Sequence, residues 1–216
     1  MANVVVKENH LTFGGKKYFR GGAEDVTLGA YGDKSTPLFG QNYLEVKNRI
    51  PGGLFHIEKA TIAEIDFARS DKGGFAANVK VAGVARGGTK VGYNMLHAGE
   101  LKLVKLTVLP QEMMDAANNA PKHLANLDRY GKGARIAHQI FVVLEAREAR
   151  EFTRNSAFEV SVKKGVLKIT AKASRSVSGE VVVTVEPGAT FAYLLLRPKW
   201  RKGKIRDVVD DQWGLG

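Results

Sequence analysis

Cysteine is absent from the 216 residues. Disulfide staples, thiolate nucleophiles and cysteine-bound zinc are thereby excluded, and the composition suits a reducing compartment. Long hydrophobic runs are missing too. The strongest, "IFVVLEA" and "FAYLLL", fall far short of the roughly 18 to 20 apolar residues a spanning helix requires. A membrane role would have to use strands or surface binding. The opening "MANVVVKENHLTF" has three consecutive strong apolar residues before Lys7 and Glu8, too few for a signal-peptide core, so a cytoplasmic location is expected.

Negative charge is the other shortage. Thirty-three Lys and Arg face 22 Asp and Glu, a net charge of +11, and such an excess draws polyanions, either nucleic acid or an acidic membrane surface, without choosing between them. The 44% hydrophobic content supports a buried core and excludes disorder as the main state. The length suits one large domain or two small ones.

Catalytic signatures are lacking as well. His10, His56, His97, His123 and His138 stand at no ligand spacing from one another or from a carboxylate pair. "GGTK" at Gly87–Lys90 lacks the glycine spacing and the hydroxyl residue of a phosphate-binding loop. No G-x-S-x-G elbow occurs, and Glu145, Glu148 and Glu151 alternate with Arg147, Arg150 and Arg154 as a solvated face would. The expectation is a non-enzyme with no cofactor and no metal.

What is present is β-patterned. Residues 1–70 carry Gly-Gly pairs at 14–15, 21–22 and 52–53 that punctuate short pieces such as "DVTLGAY" and "NYLEVKNRI", read as strands and loops. "LFHIEKATIAEIDFARS" fits a short helix or alternating strands equally. "FAANVKVAGVARGGTKVGYNML" alternates on either side of Gly87-Gly88 and predicts a hairpin; "ELKLVKLTVL" predicts another strand. "PQEMMDAANNAPKHLANLDRYGKG" is the best helical segment, opening at Pro110, split by Pro121 and closing at Gly131, with Met113, Met114, Ala117, Leu124 and Leu127 on its buried face. The apolar centre Ile140–Leu144 favours strand. A second hairpin spans "LKITAKASRSVSGEVVVTV", and "VVVTVEPGATFAYLLL" reads as two apolar strands joined at a Pro-Gly corner. The fold class expected is α+β: a twisted, mainly antiparallel sheet with two long β-hairpins and a short helical insertion. Within the single domain 1–216, residues 1–70 form a strand- and loop-rich part, 75–196 the hairpin region and 197–216 a charged tail.

Lys16, Lys17 and Arg20 lie among Phe13, Tyr18 and Phe19, a mixture able to neutralise phosphates and stack bases, or simply to turn aromatics inward and cations outward. The tail begins with six basic residues in ten: Arg197, Lys199, Arg201, Lys202, Lys204 and Arg206. It ends in "DVVDD" and Trp213, and is either a solubilising end or a cover for a sheet edge. A tilted strand of about 9 to 11 residues crosses a bilayer. Phe75–Arg86 and Leu167–Val177 reach that length.

The succession "GFAANVKVAGVARGGTKVGY", "LVKLTVLPQEMM", "QIFVVLEAREAREF" and "VVVTVEPGATFAYLLL" resembles the pore-forming domain of the gasdermin family, over about Phe75–Leu196. That resemblance implies binding to an acidic membrane surface, homo-oligomerisation on activation, and conversion of both hairpins into a transmembrane β-barrel. Its lipid-binding residues would be Lys163, Lys164 and the six basic tail residues, each adding on the order of 1 kcal/mol at a negative surface; Lys16, Lys17 and Arg20, read from the residues alone, join them as lipid- or polyanion-binding candidates. Its membrane-inserting residues would be Phe75, Val79, Val81, Val84, Val91 and Tyr93 in the first hairpin and Leu167, Ile169, Val177, Val181, Val183 and Val185 in the second. Two alternatives use the same features. One is a structural or assembly protein, of a phage or secretion apparatus, whose hairpins join subunits; the other is a basic nucleic-acid-binding module.

Overall fold

The computed structural model describes residues 4–6, 9–38, 40–64, 79–84, 93–96, 101–145, 167–172, 180–185 and 188–214. The strands in chain order are β1 (Val4–Val6), β2 (His10–Phe13), β3 (Lys16–Phe19), β4 (Ala30–Ser35), β5 (Tyr43–Arg49), β6 (Glu58–Glu64), β7 (Val79–Val84), β8 (Tyr93–Leu96), β9 (Leu101–Thr107), β10 (Ala134–Glu145), β11 (Leu167–Lys172), β12 (Glu180–Val185), β13 (Thr190–Arg201) and β14 (Lys204–Asp211). Helices α1 (Pro110–Asn118) and α2 (Pro121–Asp128) lie between β9 and β10. The fold is sheet-rich α+β, with a curled, antiparallel half-barrel sheet and two helices.

β10 and β13 form the spine of that sheet, paired antiparallel from Ile136↔Leu196 to Val142↔Thr190. Every residue from Ala134 to Leu144 and from Thr190 to Leu196 is buried, which explains the near-continuous apolar runs: a strand covered on both faces has no polar side to show. Each spine strand has two successive partners on its outer side. β10 takes β4 near its start and β9 along Gln139–Glu145. β13 takes β3 at Tyr193 and β14 along Leu195–Arg201.

The curl nearly closes. Gly21, just past β3, bridges Tyr43 at the start of β5, and the Tyr193 hydroxyl donates to the Gly21 carbonyl (2.7 Å) while accepting from the Leu44 amide (2.9 Å). Tyr18 and Phe13 pack edge-to-face with Phe141, with centroids 4.9 and 5.3 Å away, and Phe19 stacks on Tyr193. Burial and the charge of Asp210 both push the Tyr18 phenol well above its ordinary range, and burial does the same for Tyr193.

Both helices begin with proline at the first position, where the missing N–H costs nothing, and Pro121 splits the segment as its sequence requires. Met113, Ala117, Leu124 and Leu127 are buried, and Met114 is half-buried against the same core. The ambiguous segment after Leu54 is strand β6, paired with β9 from Glu58↔Thr107 to Glu64↔Lys102.

Three expectations are corrected. "DVTLGAY" is not one strand: Ala23–Asp25 is a 3-10 turn, the Ala30 amide bonds the Thr27 carbonyl, and Gly29 holds φ 77, so β4 starts only at Ala30. β12 and β13 are not partners of one hairpin; β12 pairs with β11 and β7, and β13 with β10, β3 and β14. Gly188, at φ 90, lies between β12 and β13, which belong to different sheets. Position 197 is no boundary either, because β13 runs through it to Arg201 and the basic tail is a hairpin of the main sheet.

Candidate functional site

Four neighbouring strands of the main sheet, in the order β6-β9-β10-β13, alternate in direction. Glu64 lies opposite Lys102, Leu101 opposite Glu145, and Val142 opposite Thr190. The end of β6, the start of β9, the end of β10 and the start of β13 therefore share one edge of the sheet. β7 and β8 are inserted between β6 and β9, and β11 and β12 between β10 and β13. Both insertions leave and re-enter the main sheet at this edge. The re-entry of the second is fixed by the Thr190 hydroxyl, which donates to the Val26 carbonyl (2.6 Å), and by backbone bonds of Val143 with Gly188 and Ala189.

The inserted strands form a separate four-stranded sheet in the order β11-β12-β7-β8. β11 pairs antiparallel with β12 from Leu167↔Val185 to Lys172↔Glu180, and β7 with β8 from Val81↔Leu96 to Val84↔Tyr93. Between the two pairs, β12 and β7 run parallel, from Val181↔Val79 to Val185↔Gly83. Because paired residues share a face, the register places Val79, Val81, Leu167, Ile169, Val181, Val183 and Val185 on one face, with Ala171 and Leu96. Val84 and Tyr93 fall on the other, with Lys80, Lys168, Thr170, Lys172 and Glu180. Seven of the expected inserting residues are thus brought together and two are not; Phe75, Val91 and Val177 lie outside the described residues.

The basic candidates do not form one patch. Arg197, Lys199, Arg201, Lys202, Lys204 and Arg206 are exposed on the β13–β14 hairpin, whose turn holds Lys202 at φ 52 and Gly203 at φ 70, as the twist of a two-residue hairpin demands. Lys199 pairs with Asp207 at 2.6 Å. This tip is at the far end of β13 from Thr190, roughly 35 Å from the launching edge at about 3.3 Å per residue. Lys17 is exposed, with its ammonium 5.9 Å from the Trp213 ring. Lys16 is half-buried and bonded to Asp210 at 2.5 Å. Arg20 is only 3% exposed, its guanidinium 4.3 Å from the Phe191 ring centre, so it is a core residue rather than a surface cation. Lys163 and Lys164 lie outside the described residues.

An ionic anchor that the sequence reading missed holds β14 in place. Adjacent strand residues point to opposite faces, and Asp210 and Asp211 use both. Asp210 meets Lys16 and the Nε2 of fully buried His138 (3.2 Å), whose Nδ1 lies 3.1 Å from the Val108 carbonyl oxygen. His138 first, then Lys16, hold the Asp210 carboxyl far below the usual carboxylate range against the opposing effect of burial. Asp211 is bonded to Lys34 (3.1 Å) and Arg135, all three side chains buried. The Lys105 ammonium lies 5.8 Å from the Phe13 and Tyr18 ring centres, and burial first, then Lys16, lower its pKa. The only hint in the sequence is the "DVVDD" run after a basic stretch.

No helix among the described residues is long and apolar enough to cross a membrane, and none of their His, Asp and Glu residues group in threes fit to hold a metal ion. No family model matches the chain, and no curated protein or solved structure matches it significantly.

Proposed function

We propose that this chain is a membrane-binding, self-assembling pore-forming protein, acting from the cytoplasm and moving to an acidic membrane on activation, with its two inserted hairpins extending into a shared transmembrane β-barrel. The observation that carries the reading is the common launching edge: both insertions spring from adjacent antiparallel strands at one end of a curled sheet. If each inserted strand continued the strand it springs from, β6–β7, β8–β9, β10–β11 and β12–β13 would become four long, mutually antiparallel strands. An open sheet edge has no place in hydrocarbon, so such a ribbon requires copies that close into a ring.

The apolar face marked by Val79, Val81, Leu167, Ile169, Val181, Val183 and Val185 supplies the lipid side of such a ribbon, and the face with Lys80, Lys168, Thr170, Lys172 and Glu180 supplies the lumen. No enzymatic step and no cofactor enters this scheme. The test is release of an encapsulated dye from vesicles containing acidic phospholipid, compared with vesicles of zwitterionic lipid alone. Release that depends on acidic lipid and weakens with salt is expected. Vesicles that remain sealed at high protein concentration overturn the reading; if they do so while the protein forms large assemblies in solution, the hairpins join subunits rather than enter lipid.

A further inference from the structure

We propose that the parallel β7·β12 ladder is a self-pairing of the two strand edges by which one copy of this chain joins the next, and that it must break before copies can assemble. The proposal rests on the pore reading above.

Its basis is strand order. Straight continuation from the launching edge gives the order β7-β8-β11-β12, with β8 beside β11 in the middle and β7 and β12 as the outer edges. In a ring of such units, β12 of one copy meets β7 of its neighbour. The observed sheet has the order β11-β12-β7-β8. The contact missing from it is β8 with β11, and the contact added is β12 with β7, the one that a ring reserves for the boundary between copies.

Direction shows that the added contact is a block and not a preformed half of the ring. In the extended ribbon β7 runs away from the main sheet and β12 runs back toward it, so across a boundary they would be antiparallel. Within the chain they are parallel, Val181 opposite Val79 and Val185 opposite Gly83. The paired ends Val84 and Tyr93 of β7 and β8 and the paired ends Lys172 and Glu180 of β11 and β12 consequently lie at opposite ends of the small sheet, whereas insertion needs both at the same end. One hairpin has to turn end over end relative to the other. Until it does, the backbone groups on the facing edges of β7 and β12 are occupied, which also protects the single copy from indiscriminate edge pairing.

Because the chain has no cysteine, one engineered disulfide can be read without interference. Val81 and Val183 are register partners across the ladder, on neighbouring strands about 4.8 Å apart, within the Cα separation a disulfide spans. Val81→Cys/Val183→Cys should oxidise to an intramolecular disulfide in solution, lose at least tenfold of its dye release from acidic vesicles, and recover it on reduction. The control Ala82→Cys/Met95→Cys staples register partners inside one hairpin and should release dye alike in both redox states. Failure of the Val81–Val183 disulfide to form, or full release with it formed, overturns this proposal and leaves the pore reading standing. Sealed vesicles with the parent chain and with both reduced variants overturn the pore reading, and this proposal with it.

Discussion

Asn118, the last residue of α1, hydrogen-bonds both backbone groups of Ile205 on β14: its Nδ2 donates to the carbonyl at 2.8 Å and its Oδ1 accepts from the amide at 3.0 Å. A side-chain amide here takes the place of a neighbouring strand, closing the outer edge of β14 beside the basic turn. With two bonds at about 1 kcal/mol net each, Asn118→Ala is expected to cost about 2 kcal/mol. A fall in the urea midpoint with an unchanged slope reports it. Asn118→Asp, which retains the acceptor and loses the donor, should not rescue the midpoint.

Asp211 is the carboxylate that Arg135 and Lys34 share in the interior. Removing one member of a buried ion cluster costs about 3–5 kcal/mol, far more than breaking an exposed pair. Asp211→Ala should therefore unfold at markedly lower urea, while Asp207→Ala, which breaks the exposed pair with Lys199, should leave the midpoint in place. Equal effects would show that the Asp211 cluster is not a structural anchor.

The Asp210 carboxyl titrates below its unfolded value in the native chain, through His138 and Lys16. For a depressed acid the linked stability is fully present above the unfolded value, near pH 4, and is lost as pH falls through the folded one. Urea midpoints of the parent and Asp210→Asn should thus differ most at pH 6 to 7 and converge below pH 4. A constant gap down to pH 2 would mean that the carboxylate is not what His138 and Lys16 hold.

The basic turn lies at the opposite end of β13 from the launching edge, so on the proposed pore reading it would face away from the bilayer that the hairpins enter. Lys202→Glu/Lys204→Glu is expected to leave dye release from acidic vesicles within about twofold of the parent. A tenfold loss would place this tip on the membrane and require a different orientation of the sheet.

Periodicity carried much of the fold. The proline-split helices, strands β9 and β10, and the alternating residues of β7, β11 and β12 were all visible as local pattern: helical spacing after each proline, two-residue alternation along β7, β11 and β12, and an unbroken apolar run from Ile140 to Leu144. Partner choice was not visible. "VVVTVEPGATFAYLLL" reads as a hairpin because both halves are apolar and a Pro-Gly pair joins them, yet nothing local records that Val181–Val185 and Thr190–Leu196 belong to different sheets. Arg20 looked like a surface cation beside Lys16 and Lys17, and only tertiary packing sets it against Phe191. The β14 anchor was hidden for the same reason: Lys16 and Asp210, or Lys34 and Asp211, are brought together solely by sheet closure across almost the whole chain.

That closure has a kinetic consequence. The Lys17 amide finds its acceptor on Gln212, and its carbonyl receives the Trp213 amide, so the first strands and the final one are each incomplete without the other. Loop-closure entropy must be overcome before such distant contacts return anything, which puts this chain among the slow, topology-limited folders. During synthesis both inserted hairpins emerge while the sheet that will hold them still lacks its closing strand, and the newborn chain is at its most vulnerable to misassociation in that interval.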